Sequence, residues 1–373
     1  MKLKLLCAAL CALCTAGAAG TASAADFTTS AGYNATCSAM AALNESPATL
    51  ADDDQRVAFV ICSDTKLMQQ IATWFTRDLH QLEGTQLTDR KFIAALDDEL
   101  DYAIGRMAAS REVLEKIDLG KRKSLRLVPS QWQLDLDGDG KISTWEKYFF
   151  AIPKRRDATT QFAMPSNEEA HYMREYNLDA AIKVDQSDVL WALSYHDFIE
   201  SALVVLRALD MDEKYHISVK HPELFRRSRD LFTQGLANSE KTRRSVLAET
   251  GNDEEWIPNP KQTNSAFPLA LDAKDFSMWG KVIKELQALE EGKTLLARGD
   301  ELGYCPKGFG LDVREISLNP PQDLFGAGSP VFGAPYCRKI DKAHPVSPLV
   351  ELMSRASHAD PQMRFLRYLL WIN

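Results

Sequence analysis

Asp135, Asp137, Asp139 and Glu146 place four carboxylates in one short stretch, with Gly140, Lys141 and Ser143 between the acidic run and its last member. Oxygen donors spaced this way suit a hard divalent cation. Calcium takes about six to eight oxygens at roughly 2.3–2.6 Å, and side-chain and backbone oxygens can both serve. Four carboxylates crowded together without a cation would repel one another. A surface turn rich in Asp-Gly pairs is the plainer reading, but it does not explain why glycine, isoleucine and the fourth carboxylate fall where they do.

Read by position, residues 135–146 (Asp-Leu-Asp-Gly-Asp-Gly-Lys-Ile-Ser-Thr-Trp-Glu) resemble the loop of the EF-hand family. The resemblance implies calcium ligands at Asp135, Asp137 and Asp139 through side-chain oxygens. Lys141 would contribute through its backbone carbonyl, Ser143 directly or through water, and Glu146 through both carboxylate oxygens. Gly140 stands at the sharp turn, where positive φ favours glycine. Ile142 stands where the family packs an apolar residue inward and pairs the loop with a partner. The resemblance covers the loop and an exit helix from Thr144 to Phe150. It departs on the entering side, because Pro129 lies six residues before Asp135 and restrains Val128 from helical geometry. That leaves at most a short entering turn, too little for the two-helix lever of a calcium sensor. A degenerate partner is sought at Asp210–His221, which matches at Asp210, Asp212, Ile217 and Ser218. It fails at Lys214, Tyr215 and His221, so a polar helix–helix connection is the simpler reading.

Other chemistry finds little support. The histidines His80, His171, His196, His216, His221, His344 and His358 show no H-E-x-x-H spacing and no nearby C-x-x-C. His196 beside Asp197 suggests a base with its orienting carboxylate, but adjacent helical residues do not face each other, so His196 reads as structural. No nucleophile elbow or phosphate loop is present. Gly308-Phe309-Gly310 reads as loop. Glu169, three residues after Ser166, reads as a helix-start residue, and Lys121, Arg122, Lys123 and Arg126 read as a solvated basic patch.

The compartment follows from the first residues. A positive start at Lys2 and Lys4, an apolar run to Ala19 and Thr21-Ala22-Ser23-Ala24 form a secretory signal peptide over 1–24, cut after Ala24. The remaining cysteines, Cys37, Cys62, Cys305 and Cys337, then predict two disulfides, with proximity favouring Cys37–Cys62 and Cys305–Cys337. The chain is acidic, with a formal charge of −8 that deepens when Lys2 and Lys4 are lost. Such a surface argues against nucleic acid as a partner. No other stretch reads as a membrane span, and a hydrophobic fraction of 45% is that of a packed globule.

Helices must carry these residues. Apolar positions recur at three- and four-residue steps over 55–82 and 88–117, from Asp185 to Leu209 behind a cap at Asp185 and Asp188, from Pro222, from Asp272, and over 349–371 with an interruption at Pro361. Trp74, Trp191 and Trp279 fall on the apolar faces. Ala180–Val184 is the one extended-looking piece. Residues 249–268 and 298–348 read as long loops, the first pinned by Trp256 and the second stapled by its cysteines. The expected fold is mainly α, a multi-helix globule with one EF-hand-type loop and disulfide-stapled loops. Its segments are a helical region at 25–122, a calcium-binding segment at 123–158 and a helical region at 159–373. The expected function is that of a calcium-binding, non-enzymatic interaction module, periplasmic or secreted, with an envelope protein as its partner. The alternative is an envelope hydrolase with structural calcium and an active site in loops 249–268 and 298–348.

Overall fold

The computed structural model describes residues 25–42, 50–78, 89–154, 168–212, 214, 216–296, 303–325, 332–349 and 351. The signal peptide expected over 1–24 and the helix expected over 349–371, apart from Leu349 and Glu351, lie outside them. So do Glu213 and Tyr215 of the second loop candidate, and parts of 298–348.

The fold is mainly α, as the periodicity predicts. Helix α1 (Ser30–Ala42) leads to α2 (Asp53–Thr73), which Asp52 caps by accepting the Gln55 amide at 2.8 Å. One π turn, Trp74–Asp78, extends α2, and α3 (Arg90–Leu114) follows. After the candidate loop come the short α4 (Thr144–Lys147) and α5 (Glu168–Glu175). Helix α6 (Gln186–Ala208) opens on a capping box in which Asp185 and Asp188 satisfy each other's backbone amides, as their spacing predicts. Helix α7 (Pro222–Ala248) has proline in its first turn, and α8 (Ala273–Glu290) repeats the capping box with Asp272 and Asp275. A last short helix, α9, covers Val313–Leu318.

The most extensive helix contact is α6 against α7, with α3 packed on α6 and α2 on α3. Gly235 makes the first of these possible, since a Cβ there would meet the Phe198 ring at 2.7 Å. By length and composition alone α6 is long and apolar enough to cross a membrane, contrary to the expectation that no stretch after the first residues reads as a span. In the fold it runs between α3 and α7 with His196, Asp197 and Glu200 buried along it.

Strands are short but more numerous than the single expected piece. Arg126–Leu127 (β1) pairs antiparallel with Ile182–Lys183 (β4), inside the Ala180–Val184 stretch. Ile152–Pro153 (β2) pairs with Tyr176–Asn177 (β3). The Asp210–His221 segment is a hairpin of Leu209–Met211 (β5) and Ile217–Val219 (β6), with Asp323–Phe325 (β8) as third strand. Phe309–Leu311 (β7) pairs with Cys337–Lys339 (β9), so Phe309 and Gly310 are strand where loop was expected, with Gly308 in the turn before them.

One apolar core takes in Phe27, Phe59, Trp132, Ile182, Leu193, Trp256 and Phe276, drawing on each of the segments divided from the sequence. A second cluster gathers Phe225, Leu311 and Leu324 around Cys305 and Cys337. Both disulfides form with the expected pairing: Cys37–Cys62 ties α1 to α2, and Cys305–Cys337 closes the second cluster. Loop 249–268 is stitched rather than loose. The Asn252 Oδ1 accepts the amides of Thr263 and Asn264, Asn259 donates to the carbonyls of Val246 and Glu249, and buried Trp256 packs between Trp191 and Phe267.

Candidate metal centre

Aromatic packing closes the base of the 135–146 loop. Trp132, just before it, stacks on Tyr33 with centroids 5.6 Å apart, and meets Phe150, just after it, at 5.8 Å. The Trp132 indole donates to the Phe27 carbonyl at 3.0 Å. The entering side is a single 3-10 turn, Pro129–Gln131, as Pro129 dictates. The exit helix is shorter than expected: α4 ends at Lys147, and Tyr148–Phe150 leave it as turn. Helix α2 holds the loop from one side, with Gln69 donating to the Asp135 carbonyl at 2.6 Å and Thr73 to the Leu136 carbonyl at 3.0 Å. Leu136 is 0% exposed beneath it. Nothing in the local spacing marks Gln69 and Thr73, which reach the loop only through the fold.

Three of the six expected ligands come together. Asp135, Asp137 and Asp139 each offer a carboxylate oxygen, all within 4.8 Å of one another. Asp135 also organises the backbone, accepting amides from Gly138 (2.7 Å), Asp139 (3.1 Å) and Gly140 (2.9 Å). Gly138 and Gly140 have φ of 73° and 84°, so the turn uses the left-handed region at the position where glycine was expected. Lys141 is exposed and its amide donates to Asp139 at 2.8 Å.

Glu146 stands apart from that trio. Its side chain is 0% exposed, and one oxygen accepts the amides of Leu136 (2.6 Å) and Asp137 (3.1 Å). The other accepts the Ser143 amide (2.8 Å) and hydroxyl (2.6 Å). Burial pushes this carboxyl up, but the Ser143 hydroxyl and the amides of Ser143, Asp137 and Leu136 outweigh it and hold it below the usual glutamate range. Ser143 and Glu146 thus form the capping box of α4. The S-x-x-E spacing is itself the signature of that role. A carboxylate has about four lone-pair sites, and these four bonds take them up, so Glu146 reaches a cation only by giving up some of them. The donor set, all hard oxygens around a glycine turn, fits calcium.

Ile142 is 44% exposed, and the Asp210–His221 hairpin pairs with β8 rather than with this loop.

A second carboxylate group, Asp185, Glu249 and Glu255, lies where α6, α7 and loop 249–268 meet. Lys123 fills it, 2.5 Å from Glu255 and 3.3 Å from Asp185, while Glu249 accepts from Ser187 and Gln262. Burial and the neighbouring Asp185 push the Glu249 carboxyl up to about 7. The basic patch expected at 121–126 is therefore largely paired: Arg122 meets Asp54 at 2.7 Å and Arg126 meets Glu254 at 2.8 Å. Glu169 starts α5 nearly as expected and also meets Lys147 at 3.0 Å. An open cleft of about 380 Å³ lined by Arg111, Glu200, Arg226 and Arg227, and a recess of about 240 Å³ beside Cys37–Cys62, both lie away from the two long loops.

No family model, curated protein or solved structure matches this chain.

Proposed function

We propose that this chain is an exported, mainly helical calcium-binding protein, acting as an interaction module rather than an enzyme. Calcium in this reading is held by Asp135, Asp137, Asp139, Lys141, Ser143 and Glu146. The observation that carries it is the convergence of the three aspartate oxygens within 4.8 Å around a loop whose Gly140 has φ of 84°. The role is structural. The ion fixes the chain's path from the Pro129 turn into α4, and Gln69 and Thr73 join that path to α2. Two disulfides suit an oxidising compartment, where millimolar calcium keeps even a site of Kd about 10⁻⁴ M mostly filled.

Isothermal calorimetry with calcium on the folded chain tests the assignment. Glu146→Gln removes one of two oxygens from a single ligand, and the expected result is at least about tenfold weaker binding. Binding to the wild type no tighter than to Glu146→Gln rejects the site.

A further inference from the structure

His196 is 5% exposed, in the middle of α6. Its Nδ1 lies 2.7 Å from the Ala192 carbonyl oxygen. A carbonyl only accepts, so this nitrogen carries a proton. Its Nε2 lies 3.1 Å from Asp64 Oδ2 on α2. A neutral ring would therefore aim a lone pair at a carboxylate oxygen. Asp64 cannot relieve this from its other side, because Oδ1 accepts the Ser110 hydroxyl of α3 at 2.8 Å. Ser110 in turn lies 2.9 Å from the Ser63 hydroxyl, which receives Arg106 at 2.7 Å. Donors enter this chain from Arg106 at one end, and the contact at the other end requires one more proton.

We propose that Asp64 and His196 form a proton-operated clamp between α2 and α6, closed as an imidazolium–carboxylate pair and released when His196 gives up its proton. The two helices share an apolar cluster with α3 through Leu67, Ala103, Met107 and Leu203, so the clamp adds a polar fastening to an existing contact. Burial works against the charged ring, but Asp64 outweighs it and holds His196 above the usual histidine range. The surrounding charges come from every neighbouring helix. Helix α3 brings Arg106 and Arg111, and α6 itself brings Asp197 and Glu200. Helix α7 brings Arg227 and Lys241, bonded to Glu200 and Asn238. The raised value sets the sign: the stabilisation is complete below about pH 6.5 and is lost as pH rises through the folded value.

Histidine ring nitrogen resonances of the folded chain, followed from pH 5 to 9 and assigned by their loss in His196→Gln, test the clamp. The expected result is a doubly protonated ring at pH 6.5 with a midpoint above it, falling by about one pH unit or more in Asp64→Asn. A ring protonated only at Nδ1 at pH 6.5, or a midpoint unmoved in Asp64→Asn, overturns the proposal. If Asp64→Asn does not fold, the wild-type titration decides. Urea midpoints provide the mechanical readout. The wild type should lose stability between pH 6.5 and 8.5 more steeply than His196→Gln, and equal slopes overturn the clamp.

Discussion

Asp197 carries a carboxyl group whose surroundings oppose its charge. It is 0% exposed, and burial pushes it up to about 6 despite the Asn238 amide at 2.8 Å and the nearby Arg111. The folded chain thus binds more protons than the unfolded one between about pH 4 and 6, and the associated stability is present at low pH and lost as pH rises. At pH 7 the ionised group costs the fold on the order of 2–3 kcal/mol. Asp197→Asn keeps an acceptor for Asn238 and removes the charge. We expect this variant to have a higher urea midpoint than wild type at pH 7 and no advantage at pH 4. A loss of equal size at both pH values would show that the charge is not what governs this site and would overturn the reading. Glu146 shows the opposite case, a buried carboxylate that four donors hold below the usual glutamate range.

At the scale of elements, Lys123 is one of the ties that hold loop 249–268 at the cap of α6. Lys123 neutralises Glu255, which is 2% exposed and faces Asp185 and Glu249. Removing one partner of a buried pair leaves the other charge without compensation, which costs about 3 kcal/mol or more. Lys123→Ala should lower stability by that order in chemical denaturation. Glu255→Gln placed in the Lys123→Ala background should recover part of the loss, because it removes the orphaned charge. If the two substitutions simply add, the pair is not the fastening. The same elements give Lys123 partners that its neighbours in sequence do not suggest. A run of Lys-Arg-Lys looks solvated until α2, α6 and the loop bring Asp54, Asp185 and Glu255 to meet it.

For the whole molecule, the absence of a full entering helix sets the amplitude of any response to calcium. A sensor swings two helices against each other. Here the loop is entered by one 3-10 turn, left by a four-residue helix, and bound to α2 by Gln69 and Thr73. Small-angle scattering profiles and far-ultraviolet circular dichroism should therefore coincide with calcium and with chelator, while the thermal midpoint is higher with calcium. A change in radius of gyration would reinstate the switch.

The local features were legible because their causes lie close along the chain. Helix caps at Asp185 and Asp272, the proline starts of the Pro129 turn and α7, the glycine turn of the 135–146 loop and the cysteine pairing each depend on residues a few positions apart or on simple proximity. The short strands were not legible, since a two-residue strand such as Arg126–Leu127 has no period to read and exists only because Ile182–Lys183 arrives beside it. Nor could the sequence show that Asp64, itself bonded by Ser110, faces His196, that Lys123 is set among carboxylates, or that Glu146 is enclosed by its own loop. By itself the sequence determined the mainly helical class and the run of oxygen donors from Asp135 to Glu146, and chain proximity only favoured the cysteine pairing that forms. Only the tertiary structure decided which charges are buried together. Desolvation and pairing depend on what packs around a side chain, and that is set by contacts between residues far apart in the chain.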